Sequence, residues 1–163
     1  MSTENLVDML RTHPFVEGCK PEHIEKLASM AARVQFEKNA IIFREGDESS
    51  FFYLLFSGSV VLEITGAGRA YRIQTLGKGE ELGWSSMTPS MAKKFQARVL
   101  EPVTALAFDG ARLRRACDED CAFGYAITQR LLQTISSRLQ AARMQLLDLY
   151  APAKMGAPGK PGA

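Results

Sequence analysis

One change of rhythm limits what this chain can fold into. Between Val34 and Phe108 the apolar residues alternate with polar ones or run in short blocks, whereas on either side they return at steps of three and four. Side chains alternate across a strand and recur every 3.6 residues on a helix, so the order is helices, a strand-rich middle, then helices. In the middle, Val34 and Phe36 alternate, Ala40–Phe43 is a short apolar run, and Arg44-Glu45-Gly46-Asp47 is a turn. Phe51–Phe56 is apolar throughout, as in a strand covered on both sides. Ser57-Gly58 reads as a tight turn before a strand at Ser59–Ile64, and Gly66-Ala67-Gly68 as a hairpin with Ala70–Leu76 returning. Phe95, Ala97 and Val99 alternate, Glu101-Pro102 turns, and Val103–Phe108 closes the set. About eight short strands predict an α+β protein built on an antiparallel barrel or jelly roll.

The flanks supply the helices. Residues 4–11 place Leu6, Met9 and Leu10 on one side, and His13-Pro14 breaks the run. Pro21 suits a first helical position, and Ile24, Leu27, Ala28 and Ala31 extend a helix to about Ala32. After Asp109-Gly110 come a short helix at Ala111–Ala116 and a long one from about Glu119 to Tyr150. On the long helix Thr128, Leu132, Ile135, Leu139, Ala142, Leu146 and Leu149 recur at steps of four and three. That 3.5 period suits a dimer seam between two helices, and the other reading is a face packed on the chain's own barrel. The expected organisation is a lead-in at 1–12, one domain over 13–150 and a disordered tail over 151–163, APAKMGAPGKPGA.

Composition excludes several classes. A net charge of +2, with 20 scattered basic residues among 163, gives no nucleic-acid footprint. The N-terminus MSTENLVDML has no signal-peptide core, and no window approaches about 18 uninterrupted apolar residues. Three cysteines without a scaffold pattern point to a reducing cytoplasm. Cys117 and Cys121, four apart, would share a helical face, yet two distant histidines cannot complete a metal site with them. No catalytic triad, HExxH, P-loop or dinucleotide fingerprint is present, so no enzyme and no metal is expected.

The candidate site is the stretch Leu76–Leu100, LGKGEELGWSSMTPSMAKKFQARVL. Leu82 ends a strand at Gly83, and Trp84, Ser85 and Ser86 begin a short helical turn whose free N–H groups suit an anion. Trp84 reads either as a stacking surface or as a core or lid residue, and Ser85 and Ser86 as ligand contacts or a helix cap. Lys93 and Lys94 read as a solvated pair or as cations for a phosphate. Phe95, Gln96 and Ala97, opening an alternating strand, are further candidates, and Arg98, alternating with inward Ala97 and Val99, is expected to face solvent.

Taken together, HPF at 13–15, FREGDESSFFYLLFSGSVVL at 43–62, LGKGEELGW at 76–84 and the helix ending SRLQAARMQLLDLY resemble the cyclic-nucleotide-binding domain of the Crp/Fnr (catabolite activator) superfamily. The resemblance implies a jelly roll with a long C-terminal dimerisation helix, and places Leu82–Ala97 at the phosphate-binding cassette. Three positions depart from the family pattern. Trp84 stands where an acid bonds the ribose, and Lys94 or Phe95 stands where an arginine pairs the cyclic phosphate. Ala142 and Arg143 stand at the pair that reads the base. Arg143, with Lys93 or Lys94, is then a candidate partner for an anion.

Two functions follow from the resemblance. One is a non-enzymatic sensor in which a cyclic mono- or dinucleotide, or another small anion, biases the packing of a homodimer's long helices for a protein partner to detect. The other is a dimeric scaffold that has lost its nucleotide. Only thirteen residues follow Tyr150, so direct sequence-specific DNA binding is not expected.

Overall fold

The computed structural model describes residues 2–88 and 91–151, so the expected tail lies almost wholly outside the described residues. The chain divides into two compact units, Met1–Leu131 and Leu132–Ala163. The first is a helix-flanked antiparallel jelly roll. Its strands are β1 (Ala31–Phe36), β2 (Ile41–Phe43), β3 (Phe51–Gly66), β4 (Arg69–Gly77), β5 (Glu81–Leu82) and β6 (Gln96–Asp109). They lie in the order β1-β6-β3-β4, with β2 beside β6 and β5 beside β3, all antiparallel.

Six strands rather than about eight result because two expected turns are bulges inside continuous strands. At Gly58 φ is +79°, and a Cβ there would come within 2.1 Å of the Pro102 carbonyl oxygen. Only glycine allows this left-handed close approach, and the register of β3 against β6 slips around it, between Leu55, Ser57 and Ser59. Glu101-Pro102 sits opposite that bulge, so β6 also runs on. The hairpin at Ala67-Gly68 is a two-residue turn with φ of 51° and 74°, whose hand matches the strand twist.

Helix α1 (Thr3–Arg11) and helix α2 (Pro21–Ala28) precede the barrel, and α3 (Gly110–Glu119) follows it. Helix α2 stops four residues short of the expected end. Ala31–Phe36 pairs instead with Val103–Phe108, because the ladder satisfies their backbone groups and β-branched Val34 favours it. Between α1 and α2, His13 Nδ1 accepts the Phe15 N–H at 3.1 Å and caps a short 3-10 turn. Burial pushes the His13 imidazole down to about 4, so it stays neutral at neutral pH.

Strand alternation builds two cores. Phe52, Leu54, Leu106 and Phe108 face one way and pack with Leu10, Phe15, Leu27 and Leu113 of the helices and with Phe123 and Ile127. Tyr53, Leu55, Ala105 and Ala107 face the other way and fill the barrel with Val60, Leu62, Leu76, Leu82 and Val99. The apolar run at Phe51–Phe56 is explained by both.

Helix α4 (Cys121–Tyr150) follows α3 after Asp120 alone. Asp120 accepts the Phe123 N–H at 3.1 Å and the Lys26 ammonium at 3.0 Å, starting α4 in a new direction. Cys117 and Cys121 therefore lie on different helices, not on one helical face. Burial pushes the Cys117 thiol up, while Cys121 is exposed. The second unit holds α4 from Leu132 onward, and Leu139, Leu146 and Leu149 are exposed along it. Among the described residues no helix is long and apolar enough to cross a membrane.

Candidate functional site

The cassette begins where β5 ends. Leu82 is buried in the barrel opposite Tyr53, and Gly83 turns the chain with φ +81°. A Cβ on Gly83 would lie 2.4 Å from the Phe51 carbonyl oxygen and 3.2 Å from Lys93 Nζ, so both backbone and space require glycine. A short 3-10 helix over Trp84–Met87 follows, closed by Ser86 N–H donating to the Gly83 carbonyl at 3.0 Å.

Each candidate has a distinct place. Trp84 is half-buried against the helix-side core. Ser85 Oγ shares a 2.5 Å hydrogen bond with Ser49 Oγ and accepts Lys93 Nζ at 3.3 Å. Ser86 is wholly buried, its carbonyl accepts from the Arg114 guanidinium, and its Oγ has no protein partner. Phe95 packs half-buried on the barrel core, and Ala97 is fully buried in it. Gln96 donates to Glu63 at 3.1 Å. Arg143 belongs to the other unit, on the exposed second half of α4.

The two lysines part company. Lys94 is exposed, but Lys93 retains only 5% of its surface. The Lys93 backbone is pinned on both sides, its N–H donating to Asp47 and its carbonyl accepting from Gly46, each at 2.8 Å. This turns the side chain inward, where Nζ sits 4.3 Å from the centroid of the Phe43 ring. One hydroxyl and one aromatic face are its partners. Desolvation pushes the ammonium down to about 8.

Arg98 corrects an expectation. Rather than facing solvent, it is half-buried and holds Glu63 with Nε at 2.8 Å and a second nitrogen at 3.1 Å. The Arg98 hydrogen bonds hold the Glu63 carboxyl below its usual range. The signal lay in the sequence, since Glu63 is the lone acid within the apolar strand SVVLEI. Sequence reasoning noted Phe43 and Ser49 only within the run 43–62 and passed over Arg114, because their contacts with the turn join residues remote in the chain.

A glycine-led turn thus lies against a buried cation in a helix-flanked antiparallel jelly roll. The chain belongs to the cyclic nucleotide-binding domain family, whose model matches residues 33–120, more than half of the 163. Solved structures share the fold. A cyclic nucleotide-binding domain from Methylobacillus flagellatus KT is 17% identical with TM-score 0.77, the match covering 94% of this chain and 86% of that one. The catabolite activator protein of Thermus thermophilus is 25% identical with TM-score 0.67, over 84% of this chain and 63% of that one. A variant of a cAMP-binding acyltransferase from Mycobacterium smegmatis is 26% identical with TM-score 0.70, over 85% of this chain and 42% of that one. No curated protein matches.

Proposed function

We propose that this chain is a non-catalytic regulatory module whose effector is a small phosphate-bearing anion, a cyclic mono- or dinucleotide, seated against Gly83–Ser86 with Lys93 as its cationic anchor. The carrying observation is Lys93 itself. A buried ammonium without a carboxylate partner is costly, and an anion arriving there removes the cost. The Ser86 hydroxyl of the same turn is buried and unpartnered among the described residues. Output runs through a homodimer along Thr128, Leu132, Ile135, Leu139, Ala142, Leu146 and Leu149, whose packing a protein partner detects.

Calorimetry with cyclic AMP, cyclic GMP and cyclic dinucleotides tests this. Saturable binding is expected, weakened about tenfold or more by Lys93→Met and less by Lys94→Met. Binding should also weaken as pH rises through about 8, where Lys93 gives up its proton. No heat and no thermal shift with any of them would overturn the sensor reading. The second reading, a ligand-free dimeric scaffold, is favoured by one observation. Trp84, standing where resembling domains carry the ribose-binding acid, is half-buried against the helix-side core.

A further inference from the structure

A cavity flanks the Trp84 turn on the side of Ser49 and Arg114. It measures about 550 Å³ and opens between Glu48–Ser50, the described residues Thr88, Met91 and Ala92, and the start of α3. Glu48, Ser49, Thr88, Asp109, Ala111 and Arg114 are on its wall. We propose that this cavity is a binding site for a small zwitterion of the amino-acid class, its carboxylate on Arg114 and its ammonium on Glu48 and Asp109.

Three observations carry it. The volume falls within the roughly 300–1,000 Å³ usual for small-molecule sites. The wall carries both signs of charge, and among the described residues no ion pair joins Arg114 to Glu48 or Asp109. Opposite charges that share one cavity without closing on each other fit a ligand bearing both. A simple anion would meet two carboxylates, and a simple cation would meet the guanidinium. Third, the charged groups are held in place. Arg114 is anchored by the Ser86 carbonyl, with donors to spare among its five N–H groups. Asp109 caps α3 through one oxygen, which accepts the Arg112 N–H at 2.8 Å and leaves the other free. The Glu48 backbone is tied to Ala92 by a β-bridge, and its side chain is exposed.

The site is wired to the cassette. Ser49 lines the cavity, and its hydroxyl bonds Ser85, which in turn accepts from Lys93. Arg114 holds the carbonyl of Ser86, the next residue of the same turn. A zwitterion drawing on Arg114 or Ser49 acts on the turn that carries the cassette's hydroxyls.

Calorimetry and amide chemical shifts with free L-amino acids and Gly-Gly as probes test the proposal. At least one probe should bind saturably and shift the amides of Ser50, Thr88 and Ala111. Glu48→Gln and Arg114→Lys should each weaken it about tenfold. Amino-acid binding that persists when the parent protein gives no heat with cyclic AMP separates the cassette's failure from this site's. Absence of binding by every probe, or binding unchanged by both wall substitutions, would overturn it.

Discussion

In water an ammonium group is surrounded by solvent dipoles; that of Lys93 has the Ser85 hydroxyl at 3.3 Å and the face of Phe43. Its pKa falls from 10.5 to about 8 on folding, which sets the sign of its effect. Below pH 8 both states hold the proton and the folded state bears the whole penalty, at most about 3 kcal/mol. Between about 8 and 10.5 the unfolded chain binds more protons, so stability rises with pH. Without ligand, Lys93→Met should be more stable than the parent at pH 7, with the difference shrinking toward pH 10.5. Urea midpoints across that range measure it, and the comparison cancels the alkaline titrations of Tyr53 and Cys117. Parallel pH profiles for the two proteins would contradict this account. Under the proposed function, binding chemistry at position 93 opposes stability. The sequence marked Lys93 and Lys94 alike, and only the Gly46–Asp47 pairing turned one of them inward.

At the scale of elements, β3 and β6 form the frame on which everything else is hung. Their shared bulge lets one long ribbon serve two cores, its register shift occurring where the helix-side layer gives way to the closed barrel. Gly58→Val should cost more than about 2 kcal/mol, since it adds left-handed strain to overlap with the Pro102 carbonyl. Chemical denaturation reads this directly, and an unshifted midpoint would show the bulge free to relax. Sequence periodicity identified every segment of this ribbon but counted its bulge as two turns, because a Ser-Gly pair reads alike in both. Likewise the apolar spacing of Ile24–Ala31 suits a helix, and only the Val103–Phe108 edge gives Ala31 a better partner.

At the scale of the molecule, Leu132 and Leu139 are 55% and 50% exposed, and Leu146 and Leu149 are 53% and 80% exposed. Burying such a leucine is worth about 2 kcal/mol, so a spaced row of them favours a partner helix. Two-fold pairing of α4 predicts a mass of twice 18.0 kDa in solution. Leu139→Asp, placing a charge in the middle of the seam, should return the mass to one chain by light scattering. A parent already monomeric, or a variant still dimeric, would refute the pairing.

Sequence alone determined what depends on local pattern. The period of two against 3.6 gave the helix–barrel–helix order, and Gly83 before a polar run marked the turn that ends β5, because strand alternation and glycine geometry act over a few residues. The tertiary structure decided what depends on residues far apart in the chain. Glu63 and Arg98 met across two strands, Lys93 was turned onto Phe43 while Lys94 was left in water, and Trp84 came to rest half-buried against the helix-side core. Glu48, Asp109 and Arg114 came to share one cavity. A charge is an anchor or a solvated surface group according to its desolvation and partners, and both are set by segments that no local window contains.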